Sequence, residues 1–164
     1  MVARAVAVIQ ARMSATRLPG KMMAPLAGKP LLFHILERAR AIENVREVVL
    51  ATTTSPEDDE LASLADELGV RVVRGSEDHV LSRFFLALEG TDADYLVRIC
   101  GDSPLFCPRF IDEALDVLMN GDGDLVFIEP PMDTFHQGAG VISLRALRWS
   151  TERAGDDPLV VEHV

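Results

Sequence analysis

The chain has 164 residues, 48% of them hydrophobic and 26% charged, with a formal net charge of −10. That length and apolar share suit one globular domain with its own core and exclude a disordered chain. No apolar run reaches the length of a membrane span, and the opening MVARAVAVIQARM lacks the pattern of a signal peptide.

The acidic balance argues against general nucleic-acid binding. Its distribution is uneven. Residues 1–40 hold seven basic residues and one acid, a net of +6 against −16 for the remainder. A basic segment in an acidic protein points to a local anion site, the alternative being arginines scattered on a solvated surface. Arg38 and Arg40 fit the second description, whereas Arg12, Arg17 and Lys21 lie in a loop. Cys100 and Cys107, the two cysteines, make neither a disulfide framework nor a four-ligand zinc pattern, so a reducing cytoplasm is the expected setting.

In chain order, residues 3–10 centre on AVAVIQ, a continuous apolar run that predicts a strand buried on both faces. A loop rich in turn formers and basic residues follows over 11–28. Pro30 opens a helix whose stripe is Leu31, Leu32, Ile35, Leu36, Ala39 and Ile42. Residues 47–52 read as a second buried strand. Ser55-Pro56-Glu57-Asp58 is a helix start, with a cap, a proline and acids in the first turn, and Gly69 ends that helix. A short strand over 70–74, a helix over 80–88 and a strand over 95–99 come next. The last elements are a helix over 111–119, a strand over 124–128, and a strand over 141–144 before a final helix near Arg145. Strands alternating with helices imply βαβ units and a mostly parallel sheet, whose ligands bind beyond the carboxyl ends of the strands.

Two loops stand at such ends. The first, ARMSATRLPGK over 11–21, carries Arg12, Arg17 and Lys21, with Pro19-Gly20 favouring a tight turn before the lysine. Backbone N–H groups and arginine forks in such a loop can cradle a triphosphate; a solvated basic loop is the other reading. It is not a Walker A loop, because Ala15 and Met22 stand where that pattern needs glycine and Ser or Thr. The second loop follows YLVRICGD and offers Asp102 behind Gly101. A lone carboxylate there suits Mg²⁺, which takes one or two carboxylates plus phosphates and waters. A turn aspartate before Ser103-Pro104 fits equally. Gly75-Ser76-Glu77-Asp78 reads as a capping box ahead of the helix at Val80. His79 reads as an exposed helix-start residue, His34 as part of the first amphipathic helix, and Cys100 as a packed strand-end residue.

The loop at 11–21 resembles the N-terminal signature of the cytidylyltransferases that make CMP-activated acidic sugars, through Arg12, Ser14, Arg17, Leu18, Pro19, Gly20 and Lys21. The segments ATTTSPEDDELASLADELGVRVVRGSEDHVLSRF and VRICGDSPLFCPRFID, and the closing EHV, resemble the spore-coat polysaccharide branch of that family. The resemblance implies a three-layer α/β/α sandwich of the nucleotide-diphospho-sugar transferase type. It also implies transfer of a cytidylyl group from CTP to a sugar, with release of pyrophosphate. By the same resemblance Arg12 and Lys21 are expected to carry the catalytic role, and Arg12, Ser14, Arg17, Gly20, Lys21, Ser76, Asp78 and Arg83 to bind the nucleotide. Asp102 matches the metal-binding aspartate, which makes Mg²⁺ the expected cofactor, and Arg98 matches the same branch.

At FHQGAGVIS, over 135–143, the branch's usual carboxylate is missing, which leaves His136, Gln137 and Gly138 as sugar-pocket candidates or as a plain loop. Relatives continue past a similar E-H-V with a segment that adds a second metal-binding aspartate. Residues 1–164 are therefore expected to be a single nucleotidyltransferase domain cut short at its C-terminus. The expected partners are CTP and a sugar, without nucleic acid or membrane, and a homodimer is the expected assembly to test. Two alternatives remain open: transfer from CTP, UTP or GTP to a phosphorylated acceptor, and a non-catalytic nucleotide-binding fragment.

Overall fold

The computed structural model describes residues 4–15, 17–127 and 138–154. The chain opens with β1 (Ala5–Gln10), buried along its length up to a half-buried Gln10. A 3₁₀ turn over Lys21–Met23 and a small hairpin, β2 (Pro25–Leu26) with β3 (Lys29–Pro30), lead into α1 (Leu31–Ala39). Then come β4 (Val45–Thr53), α2 (Asp59–Glu67), β5 (Arg71–Gly75), α3 (Val80–Leu88), β6 (Tyr95–Cys100) and α4 (Pro108–Asn120). The last described elements are β7 (Leu125–Phe127), β8 (Ala139–Ser143) and α5 (Leu144–Ala154).

The main sheet has the order β5-β4-β1-β6-β8-β7. β5, β4, β1 and β6 run parallel, and β8 runs antiparallel to both of its neighbours. One face carries α1, α2 and α4, where Ile9, Leu50 and Val97 meet Leu32, Ile35, Leu61, Ile111 and Leu115. The other carries α3 and α5, where Val8, Val49 and Leu96 meet Phe84, Ala87 and Leu147. The result is the expected three-layer α/β/α sandwich with a mostly parallel sheet. Apolar side chains at both faces of β1 explain why its sequence is a run rather than an alternation.

Three local expectations shift. The stretch read as loop over 11–28 contains the 3₁₀ turn and the hairpin, because Met22 is pulled into the core at 1% exposure and His34 Nε2 lies 2.6 Å from the Leu26 carbonyl oxygen. The helix start at Ser55-Pro56 is a 3₁₀ turn over Pro56–Asp58, and the α-helix begins only at Asp59, because the Asp58 side chain turns inward. β8 begins at Ala139 rather than 141, since Ala139 and Gly140 pair with Ile99 and Arg98. Arg38 and Arg40 are exposed, as the sequence suggests, and their guanidinium groups reach the carbonyls of Phe106 and Leu68. Of the sequence-predicted features, residues 3, 128, 135–137 and 162–164 lie outside the described residues.

β1 and β6 meet at their carboxyl ends through Gly101. Its N–H donates to the Gln10 carbonyl at 2.8 Å. A Cβ at this position would lie 2.7 Å from that same oxygen and 2.8 Å from Ala11 Cβ, neither of which can swing aside. Gly101→Ala should force β1 and β6 apart at their carboxyl ends. Denaturant unfolding is expected to show a loss of about 1–3 kcal/mol, the usual cost of overpacking. An unchanged midpoint would show that the two strands are not held this tightly.

Candidate nucleotide-binding site

β1 and β6 are neighbours and end level, with Gln10 opposite Cys100, so the loops that follow them share one edge of the sheet. Lys21 Nζ donates to Asp102 Oδ2 at 2.6 Å, joining the two loops directly. The Lys21 hydrogen bond and charge, with help from the Arg17 charge, hold the Asp102 carboxyl below its ordinary range although partial burial works against this. Arg17 itself is exposed. Gly20 precedes Lys21 with φ 72°, a left-handed conformation that favours glycine, and its N–H closes the loop onto the Met13 carbonyl at 3.0 Å.

The loop after β5 meets this one from the other side. Glu77 Oε1 accepts from Arg12 Nη1 at 3.1 Å and from Ser14 Oγ at 2.5 Å. Ser76 Oγ accepts from the His79 N–H at 3.3 Å within the turn, but α3 starts at Val80 with His79 as its cap residue, so Ser76 braces the turn and does not cap the helix as the sequence suggests. Asp78 is exposed in the same turn and has no partner among the described residues. Arg83 is 2% exposed and donates upward to the carbonyls of Ser76 and Glu77. It braces the loop from beneath rather than facing outward. Burial and the neighbouring Arg12 charge lower its pKa, with Asp58 and Glu77 partly compensating.

Beneath the first loop lies Asp58, 1% exposed. Its Oδ1 accepts from the Met13 N–H at 2.7 Å. Its Oδ2 accepts from Thr52 Oγ1 at 2.9 Å, the Thr53 N–H at 3.0 Å and Thr53 Oγ1 at 2.5 Å. The carboxylate thus ties the backbone of the loop after β1 to the end of β4. Cys100 sits at the end of β6, where its N–H donates to the Gly138 carbonyl at 2.7 Å. Burial pushes its thiol above the ordinary range, the Arg98 charge working the other way.

The opposite, amino edge also carries arginines and two cavities of about 370 Å³ each. There, however, the charges are matched: Arg4 with Asp94 and Asp92, Arg46 with Asp92, and Arg71 with Glu47.

The family model for cytidylyltransferases matches residues 6–159. The chain belongs to the cytidylyltransferase family. It is 34% identical over 125 residues to the spore coat polysaccharide biosynthesis protein SpsF of Bacillus subtilis, covering 74% of this chain and 52% of that protein. It is 40% identical over 111 residues to the 3-deoxy-manno-octulosonate cytidylyltransferase of Geobacter sulfurreducens, covering 66% of this chain and 43% of that enzyme. A solved cytidylyltransferase from Leptospira borgpetersenii superposes with a TM-score of 0.85 at 27% identity, over 98% of this chain and 68% of that one. The chain spans about half the length of the curated relatives it matches.

For this cytidylyltransferase-family chain, the structure brings Arg12, Ser14, Arg17, Gly20, Lys21, Ser76 and Asp102 to one edge, as the sequence predicts. Two further carboxylates, Glu77 and Asp58, were read only as helix-start acids. The signal for Asp58 was present in the string Thr52-Thr53, a cluster of hydroxyl donors at a strand end shortly before an acid.

Asp58 makes a pH prediction. Burial pushes its carboxyl up, but the hydrogen bonds from Thr53, Met13 and Thr52 outweigh burial, and the net shift is downward. A carboxyl depressed in the folded state stabilises above its unfolded pKa of about 3.9, and that contribution is lost as pH falls through the folded value. Asp58→Asn should cost about 2–4 kcal/mol at neutral pH, since an amide leaves buried donors unmatched. The gap between the two proteins should narrow only below about pH 3.9. A gap that stays constant into acid would show that the ionised carboxylate is not what holds the loop.

Proposed function

We propose that this chain is the nucleotide-binding part of a cytidylyltransferase that joins CTP to a sugar, an acidic sugar destined for a surface polysaccharide, with release of pyrophosphate. The observation that carries this is the gathering of Lys21 and Arg17 around Asp102, with Arg12 of the same loop held by Glu77, at the carboxyl edge of the sheet. The names of the relatives above support the choice of nucleotide and acceptor.

In the proposed reaction an acceptor hydroxyl attacks the α-phosphorus and pyrophosphate leaves. No covalent intermediate on the protein is needed, so the side chains act by holding and neutralising. Arg12 and Arg17 offer forked donors to the triphosphate, and Lys21 adds a compact charge beside the leaving pyrophosphate. Ser14 and the backbone around Gly20 complete the cradle, and Ser76 and Asp78 meet the nucleoside end. Glu77 and Asp102 lie against Arg12 and Lys21, and the incoming phosphates would take their place.

Asp102 fits a Mg²⁺ site in a limited way. Its side chain is 46% exposed at the strand end, and no group of three His, Cys, Asp or Glu suited to a metal occurs among the described residues. A cation there would be held by Asp102 together with nucleotide phosphates and water, the mode Mg²⁺ favours. Bound, it would supply positive charge to the phosphates.

Thermal unfolding of this chain with Mg²⁺ and each nucleoside triphosphate in turn tests the reading. CTP at a hundredfold excess over its dissociation constant should add about 2.7 kcal/mol, and ATP, GTP and UTP clearly less. Asp102→Asn should keep the fold and lose the Mg²⁺ dependence of the CTP shift. Equal shifts with all four nucleotides, or an unchanged Mg²⁺ response in the variant, would contradict the assignment.

A further inference from the structure

Arg98 lies in β6, between Val8 of β1 and Gly140 of β8, on the sheet face shared with Leu96 and Cys100. It is half-buried, and its Nε is sealed from solvent with no hydrogen-bond partner. Arg83 Nε is sealed in the same way, but the other described arginines with comparable or greater burial, Arg83 included, all place another guanidinium nitrogen on an acceptor, which Arg98 does not among the described residues. Arg12 has Glu77, Arg71 has Glu47, Arg74 has Asp59, and Arg83 has the carbonyls of Ser76 and Glu77. Gln10, opposite Cys100 and so one diagonal step from Arg98, has a sealed Oε1 with no donor. An arginine cannot shed its charge, and buried polar groups are ordinarily matched. A neighbouring unmatched donor and unmatched acceptor fit a ligand that brings one of each.

The position says which ligand. Attacking and leaving oxygens stand roughly in line across the transferred phosphorus. With pyrophosphate on the β1 loop, the acceptor must come from the side of β6 and β8, where Arg98 stands opposite a glycine. We propose that Arg98 binds the carboxylate of the acceptor and that Gln10 accepts a hydrogen bond from a hydroxyl near that carboxylate. The pair selects a sugar acid over a neutral sugar. This rests on the cytidylyl-transfer reading above, and it assigns the acceptor's charge to a residue separate from the nucleotide's cations.

The test uses the chain saturated with Mg²⁺ and CTP, with 3-deoxy-manno-octulosonate as the acidic probe and mannose as the neutral one. Binding is read by thermal shift and by titration calorimetry. The unsubstituted protein should respond to the acid and not to mannose. Arg98→Met should retain its CTP response and bind the acid about 10- to 100-fold more weakly, the loss expected for hydrogen bonds to a charged group. Arg98→Lys should recover part of the difference. Three results would overturn the proposal: an Arg98→Met protein with undiminished acid binding, one that loses CTP instead, or an unsubstituted protein that takes CTP but ignores the acid. A chain that binds no CTP at all would mark the failure of the underlying reading and would be seen in the first titration.

Discussion

Bringing like charges to one edge of a sheet is costly unless each is matched, and the whole carboxyl edge of this protein is arranged around that constraint. Arg12, Arg17, Lys21 and Arg83 converge there. Two carboxylates, Glu77 and Asp102, are placed against Arg12 and Lys21 at hydrogen-bonding distance. A third, Asp58, fixes the backbone that carries them. Each of these acids comes from a different loop, so the charge balance also fastens the loops after β1, β4, β5 and β6 to one another. At the exposed pairs the contacts are worth little individually, because water screens them. That weakness leaves Glu77 and Asp102 displaceable, as the proposed phosphate binding requires.

The two edges of the sheet differ in how their charges are satisfied. At the amino edge, arginines are closed off by aspartates and glutamates, including the doubly bonded Arg4–Asp94 and Arg71–Glu47 pairs. At the carboxyl edge, Arg17 is exposed and Arg98 keeps a sealed, unmatched Nε. The two amino-edge cavities of about 370 Å³ are thus lined by arginines whose charge is already answered, which weighs against them as anion sites.

Much of this was legible in the sequence. The apolar run of β1 and the span of α3 emerge from hydrophobic pattern, because core burial imposes it. The loops at the strand ends follow from the parallel order. Which loop residues matter came from the likeness of ARMSATRLPGK and VRICGD to a family rather than from periodicity. Glu77 and Asp58 escaped both routes. Each sits where a helix begins, a place that acids occupy for local reasons, while Glu77 takes a donor 63 residues away and Asp58, besides the nearby Thr52 and Thr53, takes one 45 residues away. Pattern within a window reports which face an element buries, not which distant donor folds back onto it. The same limit hid the 3₁₀ turn over Lys21–Met23, whose cause is the burial of Met22 against another part of the chain.

The central claim is that the nucleotide occupies the edge where β1 and β6 end. A titration of the ¹⁵N-labelled chain with Mg²⁺ and CTP, followed through amide resonances, locates the ligand without assuming any residue's role. The account predicts saturable shifts concentrated in residues 10–21, 76–78 and 100–103, as the nucleotide displaces Glu77 from Arg12 and Asp102 from Lys21. Shifts gathered instead at Arg4, Arg46 and residues 90–93, around the amino-edge cavity, would contradict it.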